Sequence, residues 1–168
     1  MLDTDLEPIP ASSFSQVMRR FAASVNVITS AEGKRKNGMT ATAVCSVSAE
    51  PPSLLVIVNR TNRSHPIIDR TKRFAVNVLA SGQECFARHF ASRADDPFAE
   101  VPHRLGRTGC PLIEGADAIL ECLVFQQFDM ATHTIFVGRI VATEIASAEP
   151  LLYHEGCYRV LGAVPAAA

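Results

Sequence analysis

The segment from Gly38 to Ser48, GMTATAVCSVS, consists almost wholly of small side chains, several of which carry hydroxyl groups. A strand that only packed a core would be expected to carry larger β-branched or aromatic residues. Small residues let a flat ligand approach the backbone, whose N–H and C=O groups can then bond the edge of a heterocycle. The segment therefore predicts a site for a planar ligand, with a tight bend of a barrel as the alternative.

A second candidate site is the polar turn NRTNRS, from Asn59 to Ser64, which directly follows an apolar run. We expect Ser64 to cap a short helix, so that free backbone N–H groups lie beside the guanidinium of Arg60 or Arg63. This combination suits a phosphate group. A solvated turn explains the same residues equally well.

Other kinds of site find no support in the sequence. It contains no GxGxxG, no P-loop and no GxSxG motif, and Asp95-Asp96 falls in a polar loop. The five cysteines and five histidines are too widely spaced for a zinc site, so we expect no metal. We expect the cysteines to be reduced and mostly packed in the core, Cys45 and Cys85 among them.

Composition limits the class of protein. The 168 residues carry a formal net charge of −1 and are 48% hydrophobic, which fits one domain with a sizeable core and argues against a nucleic-acid partner. No apolar run approaches the roughly 20 residues of a membrane span, and the first residues lack the layout of a signal peptide. We therefore expect a soluble, cytoplasmic, single-domain protein over residues 1–168, with loose tails at 1–11 and 163–168.

The elements that would position these residues are mostly strands. We predict strands over 25–29, 39–48, 54–58, 74–79, 118–128, 133–146 and 157–161, the pair 118–128 and 133–146 forming a hairpin and 54–58 being buried on both faces. Short helices are predicted after Ser64 and over 81–90. A helix capped by Ser12 or Ser13 should pack Phe14, Val17, Met18 and Phe21 over a sheet. The Pro- and Gly-rich stretch 93–115 is interpreted as a lid or an arm that covers a partner.

Six or seven strands without regular βαβα alternation indicate a mainly β protein, an antiparallel barrel with peripheral helices. The order and spacing of RRFAASVNVITS, NGMTATAVCSVSAEPPSLLVIVNR, FAVNVLA, GCPLIEGADAILECLV and HTIFVG closely resemble the flavin reductase-like family. The resemblance covers residues 18–161. It implies an FMN-binding split barrel of the antiparallel Greek-key type.

The resemblance also implies an activity. Members pass a hydride from NADH or NADPH to FMN or FAD, and as homodimers they supply reduced flavin to a partner flavin-dependent monooxygenase. A homodimer is further expected because a barrel of this size has little concavity of its own. Two alternatives stay open: a non-catalytic flavin- or haem-binding module on the same barrel, and an FMN-dependent oxidase related to pyridoxamine-phosphate oxidases.

The same resemblance also implies roles for individual residues. It implies that the ribityl chain and ring edge are contacted by Gly38, Met39, Thr40, Ala41 and Thr42, and that the ring lies along Cys45, Ser46, Val47 and Ser48. The phosphate would be held by Asn59, Arg60, Asn62, Arg63 and Ser64, with Arg88 to Phe90 near the same end of the flavin.

His133 matches a histidine that lies beside the flavin and the nicotinamide in relatives. Many relatives carry Gly-Asp-His or Gly-Thr-His there, whereas this chain has Ala131-Thr132-His133. An alanine at the glycine position narrows the space beside the flavin if that backbone requires a positive φ.

Overall fold

The computed structural model describes residues 7–163. Within them the chain forms, in order, α1 (Ala11–Met18), β1 (Ala23–Ser24), β2 (Asn26–Glu32), β3 (Arg35–Ala41), β4 (Val44–Ala49), β5 (Pro52–Asn59), α2 (Ser64–Thr71), β6 (Arg73–Val78), α3 (Glu84–Ala91), β7 (His103–Leu105), β8 (Pro111–Ile113), β9 (Ala118–Met130), β10 (His133–Ile145), β11 (Leu152–His154) and β12 (Cys157–Arg159). Residues 1–6 and 164–168, which make up much of the two predicted tails, lie outside this range.

Seven strands form one antiparallel sheet in the order β3-β2-β6-β9-β10-β5-β4. Its two outer strands, β3 and β4, are consecutive in the chain and are joined by only Thr42 and Ala43. Such a short connection brings the two edges of the sheet together, so the sheet curls into a barrel with little exposed edge. The predicted mainly β, antiparallel class is confirmed.

The interior of this sheet explains why its strands are apolar. Ile28, Val56, Phe74 and Phe136 are fully buried in one cluster. Gly138 admits the Phe74 ring, because a Cβ at this glycine would lie 2.7 Å from Cζ of Phe74. The strand over 54–58 is not buried on both faces as expected, since Leu54, Val56 and Val58 are buried while the alternate residues are only half-buried.

The strand predicted over 39–48 is two strands. β3 begins earlier, at Arg35, after a tight turn in which Gly33 adopts φ +59°, and it ends at Ala41. The chain then bends at Thr42 and Ala43 to pass from one outer strand to the other. A tight bend of a barrel was the alternative interpretation of this segment, and the bend is present at its centre.

The stretch 93–115 is not an arm, and that prediction is wrong. Phe98, Val101 and Ile113 are buried in a second core cluster with Phe90 of α3. The short strands β7 and β8 pair within the stretch. Its prolines and glycines interrupt regular structure, but they do not prevent the apolar residues between them from packing against the chain's own barrel.

A buried carboxylate anchors the same stretch. Glu121 on β9 is 3% exposed and accepts hydrogen bonds from the N–H of Arg107 (3.1 Å), the N–H of Thr108 (2.7 Å) and the Thr108 hydroxyl (2.6 Å). Burial raises the pKa of the Glu121 carboxyl, but these bonds outweigh it and leave the pKa below its ordinary value.

The helix α1 is present, but its predicted packing is wrong. The N-cap position is Pro10 and not a serine, and the apolar side chains of the helix are largely exposed, from 46% for Met18 to 63% for Phe21 just after it. The predicted helices after Ser64 and over 81–90 are confirmed, as is the hairpin of β9 and β10. None of the helices in residues 7–163 combines the length and apolarity needed to cross a bilayer.

Candidate functional site

A cleft of about 580 Å³ lies between β3, the turn that follows β5, and the end of α3. Its volume is within the range of cofactor sites, about 300–1,000 Å³. The cleft, termed here the β3–α3 cleft, is lined by Asn37, Gly38, Met39, Thr40, Asn59, Thr61, Asn62, Arg63, His89, Phe90, Ala91, Ser92, Arg93, Ala94 and Pro97.

The floor of the cleft is formed by the close contact of β3 with α3. A Cβ at Gly38 would lie 2.6 Å from two ring atoms of Phe90, so only glycine fits here. The Thr40 hydroxyl donates a 2.6 Å hydrogen bond to the carbonyl of Ala87. Two of the small residues of the Gly38–Ser48 segment therefore have a structural task, which is to hold α3 against the barrel.

The turn from Asn59 to Ser64 is fixed by its own side chains. Oδ1 of Asn59 accepts hydrogen bonds from the N–H and the hydroxyl of Thr61, both at 2.9 Å, and Oδ1 of Asn62 accepts the N–H of Ser64 at 2.9 Å. Ser64 is not the cap that we expected. It is the first residue of α2, fully buried, and its hydroxyl accepts a 2.7 Å hydrogen bond from Nδ2 of Asn37.

The two arginines of this turn point to different places. Arg63 lines the β3–α3 cleft, and its Nη1 donates a 2.7 Å hydrogen bond to the carbonyl of Ala94. Arg60 is not among the lining residues. Its guanidinium bonds the carbonyl of Ala131, and its backbone N–H bonds that of Thr132 at 3.0 Å. Of these two arginines, Arg63 is therefore the one available to a ligand in the cleft, which Arg93 also lines.

A smaller cavity of about 240 Å³ adjoins the cleft, with which it shares Thr40 and Ala91. We term it the tyrosine pocket; its lining residues are Val25, Thr40, Ala41, Thr42, Ala91, Tyr153 and Tyr158. The predicted residues Ala41 and Thr42 lie here and not in the larger cleft. Sequence reasoning missed both tyrosines, because they lie more than 100 residues from β3 in the chain.

The remaining predicted residues lie outside both cavities. Cys45, Ser46, Val47 and Ser48 are on β4, the outer strand, which is half-buried to exposed along its length. Arg88 on α3 is held by Glu84 and lies over the ring of Tyr158, 5.0 Å from its centroid.

His133 is half-buried at the start of β10, directly opposite Asn59 of β5. Its Nδ1 is 2.9 Å from the hydroxyl of Thr132. The preceding Ala131 has φ +48°, so the position where many relatives carry glycine does require a positive φ. His133 therefore sits beside one wall of the cleft without lining it.

A partly buried chain of hydrogen bonds behind the turn was not predicted. The hydroxyl of Thr134 donates to Oδ1 of Asp129 at 2.7 Å and lies 2.8 Å from Nε2 of His65. Because the hydroxyl proton is used by Asp129, His65 must carry its proton on Nε2. These contacts join α2 to the β9–β10 hairpin, and no local sequence pattern marks them because 69 residues separate His65 from Thr134.

The cysteines divide into two groups. Cys110 and Cys122 are buried, and burial raises the pKa of Cys122 to about 12. Cys45, Cys85 and Cys157 are exposed, so the prediction that Cys45 and Cys85 pack in the core is wrong.

Comparison with known proteins gives consistent matches. The model of the family described as "Flavin reductase like domain" matches residues 18–162. The "FMN reductase (NADH) RutF 2" of Methylorubrum extorquens (strain PA1) is 34% identical over 164 residues, covering 96% of this chain and 95% of that protein. The solved structure of the NADH:FAD oxidoreductase SgcE6 of Streptomyces globisporus C-1027 superposes with a TM-score of 0.89 at 34% identity, covering 94% and 97% of the two chains. BorF, the flavin reductase component of a bacterial two-component tryptophan halogenase, gives a TM-score of 0.84 at 33% identity over 92% of this chain and 100% of the other.

Proposed function

The chain belongs to the family of flavin reductase-like domains, and we propose that it holds its flavin in the β3–α3 cleft. It is an enzyme, a flavin reductase of the split-barrel type that oxidises NADH and reduces FMN. The alternatives of a non-catalytic binding module and of an oxidase gain no support from these relatives, which are named as reductases.

One observation carries the proposed site. The Gly38–Thr40 stretch and the Asn59–Arg63 turn, about 20 residues apart in the chain, line the same cleft. The turn presents the guanidinium of Arg63 and the polar side chains of Thr61 and Asn62 to the cleft, and these groups suit a phosphate. The strand presents backbone beside small side chains, which suits a ribityl chain and the edge of a ring. The residues present therefore fit FMN.

The proposed orientation of the flavin follows from these two walls. With the phosphate at Arg63 and the ribityl chain along Thr40, the ring extends past the bend at Thr42 towards Ser46, Val47 and Ser48. β4 is exposed there, so one face of the ring stays accessible to a second planar molecule. Arg60 is proposed to position the β9–β10 turn and not to contact the phosphate.

His133 is proposed to lie at the open side of the ring. It follows the turn that Arg60 holds, and it is paired with Asn59 of the cleft wall. An imidazole there can donate or accept a hydrogen bond with the carboxamide of a nicotinamide. A contact with the nicotinamide does not distinguish NADH from NADPH, because the two differ only in their adenosine part.

The bound flavin supplies the ring that accepts the hydride of reduced nicotinamide, so the protein needs no strong acid, base or nucleophile. Its residues have to hold the two rings at contact distance. This agrees with a site lined by backbone, polar side chains, two arginines and one histidine, with His133 beside it.

A homodimer is proposed on surface evidence. The half of the β9–β10 hairpin next to its turn exposes Phe125 and Phe128 at 49% and Met130 at 62%. Exposed apolar surface of this extent is typical of an interface. The resemblance also supports reduced flavin being passed to an oxygenase component, and we propose a cytoplasmic location because NADH and free thiols belong to that compartment.

The activity is tested by mixing purified protein with FMN and NADH under air and following NADH absorbance. Loss of NADH that requires both protein and FMN is expected. No FMN-dependent loss would contradict the assigned activity.

A further inference from the structure

A further cavity, of about 340 Å³, opens on the outer face of the seven-stranded sheet. It is termed here the arginine pocket, and its lining residues are Arg73, Arg107, Thr108, Leu123 and Val141. None of them lines the β3–α3 cleft or the tyrosine pocket. The volume is at the lower end of the range for ligand sites, about 300–1,000 Å³, so the pocket suits one small molecule.

One wall of the arginine pocket is formed by three neighbouring strands. Arg73 of β6 is paired with Leu123 of β9, and residues directly opposite each other in an antiparallel pair project from the same face of the sheet. Their chain neighbours Phe74 and Cys122 are fully buried, so this face is the one turned away from the core. Val141 of β10 adds a second aliphatic side chain, 36% exposed against 42% for Leu123.

The other wall is the loop between β7 and β8, whose position is fixed by Glu121. This carboxylate accepts the N–H groups of Arg107 and Thr108 and the Thr108 hydroxyl, so its bonds go to the loop and not to a guanidinium. Gly106 permits the close approach, because a Cβ there would lie 2.5 Å from Cδ of Glu121. The loop therefore holds the backbone of Arg107 in a defined position beside the pocket.

The two arginines of the pocket form no ion pair within residues 7–163. The neighbouring Arg104, which does not line the pocket, is paired with Glu144. Arg73 uses one donor, Nη1, on the carbonyl of Thr108 at 3.3 Å. Because each guanidinium has five N–H donors, most of the donors in this pocket are free to bond an anion.

We propose that the arginine pocket binds a small organic carboxylate, which is an anion attached to an apolar body. A guanidinium can bond the two oxygens of a carboxylate with two parallel N–H groups, and the pocket offers two guanidiniums. Leu123 and Val141 offer apolar surface on which the body of the ligand can be buried. An inorganic anion would use only the arginines, and a neutral aromatic molecule only the aliphatic side chains.

The probe for the test is para-fluorobenzoate, and its binding to the full chain is followed by fluorine NMR. Saturable binding is expected. The amide para-fluorobenzamide has the same ring without the charge and should bind about tenfold or more weakly, as for the loss of hydrogen bonds between charged groups. Acetate should displace the probe only at about tenfold or higher concentration, because it lacks the ring that is buried against the aliphatic side chains.

Variants locate the probe in the arginine pocket. Arg73→Gln and Arg107→Gln are each expected to weaken para-fluorobenzoate about tenfold or more. Arg104→Gln is the matched control, because it removes the same charge from the same loop region without altering the lining of the pocket, and it should change the affinity by less than about twofold. The side chain of Arg107 is exposed and makes no hydrogen bond within residues 7–163, so Arg107→Gln should fold normally.

Several results would overturn the proposal. They are the absence of saturable binding, equal binding of the benzoate and the benzamide, and an equal loss in Arg104→Gln and in the two pocket variants. Displacement of the probe by FMN would also overturn it, because the pocket shares no lining residue with the β3–α3 cleft. The test requires no turnover, so a failure of the reductase activity would appear separately, as no FMN-dependent oxidation of NADH.

Discussion

Nδ2 of Asn37 on β3 donates a 2.7 Å hydrogen bond to the hydroxyl of Ser64, the first residue of α2, and both side chains are buried. This contact joins the two walls of the β3–α3 cleft. The relative position of the wall proposed for the ribityl chain and the wall proposed for the phosphate therefore depends on one polar pair.

Replacing Asn37 with alanine is expected to lower the free energy of unfolding by about 1–3 kcal/mol, the cost of leaving a buried polar partner unsatisfied. It should also weaken FMN, because the turn loses its support. Urea unfolding and flavin fluorescence measure the two effects. The double variant Asn37→Ala/Ser64→Ala should lose less unfolding free energy than the sum of the losses in the two single variants. Strict additivity would show that the pair is not coupled.

Arg63→Ala is expected to weaken FMN about 10- to 100-fold, as for the loss of a hydrogen bond to a charged group. Riboflavin, which has no phosphate, should bind nearly as before. The matched control is Arg60→Ala, because Arg60 belongs to the same turn but bonds the carbonyl of Ala131. If FMN and riboflavin were weakened equally by Arg63→Ala, the phosphate would have to lie elsewhere.

Ala131→Gly is expected to stabilise the protein by about 0.5–1 kcal/mol, because φ is +48° at this exposed position and alanine is strained there. Thermal unfolding measures the effect. Ala43 is also exposed but has no positive φ, so Ala43→Gly is expected to destabilise the protein. A destabilisation by both changes would show that the Ala131 backbone carries no strain.

Glu121→Gln is expected to lower the free energy of unfolding at neutral pH by about 1–3 kcal/mol, because three donors lose their carboxylate acceptor. The pKa of Glu121 in the folded protein lies below its ordinary value of 4.5. Its stabilisation is therefore fully present above that ordinary value and is lost as pH falls through the lowered pKa. Urea unfolding from pH 7 to pH 3 should show the two proteins converging, and a constant difference would contradict the assignment.

His133→Ala is expected to raise KM for the reduced nicotinamide with little effect on FMN affinity. Steady-state kinetics at saturating FMN measure KM, and flavin fluorescence measures the affinity. His154→Ala, at the end of β11, serves as the control histidine. Unchanged KM would remove His133 from the proposed nicotinamide contact.

The strands and the site segments could be predicted because their signals are local. β-branched runs bounded by turn residues marked β2, β5 and β6, and the unusual content of GMTATA marked the part of β3 that lines the cleft. The same signal could not show that Gly38 also serves packing, since its partner Phe90 lies 52 residues away on α3.

The wrong predictions for α1 and for the stretch 93–115 share one cause, which is that composition does not determine what an apolar side chain packs against. Phe14 and Val17 have helical spacing, yet no residue of their helix is buried. Phe98 and Val101 stand among prolines and glycines, yet they are buried. In the same way, the His65–Thr134–Asp129 contacts exist only through tertiary proximity.

The proposed site depends most on where the flavin phosphate binds, and a crystal structure of the protein grown with FMN tests this directly. We expect the phosphate within hydrogen-bond distance of the Arg63 guanidinium and beside the polar side chains of Thr61 and Asn62, with the ribityl chain along Thr40. Electron density for FMN outside the β3–α3 cleft, with Arg63 still bonded only to Ala94, would contradict it.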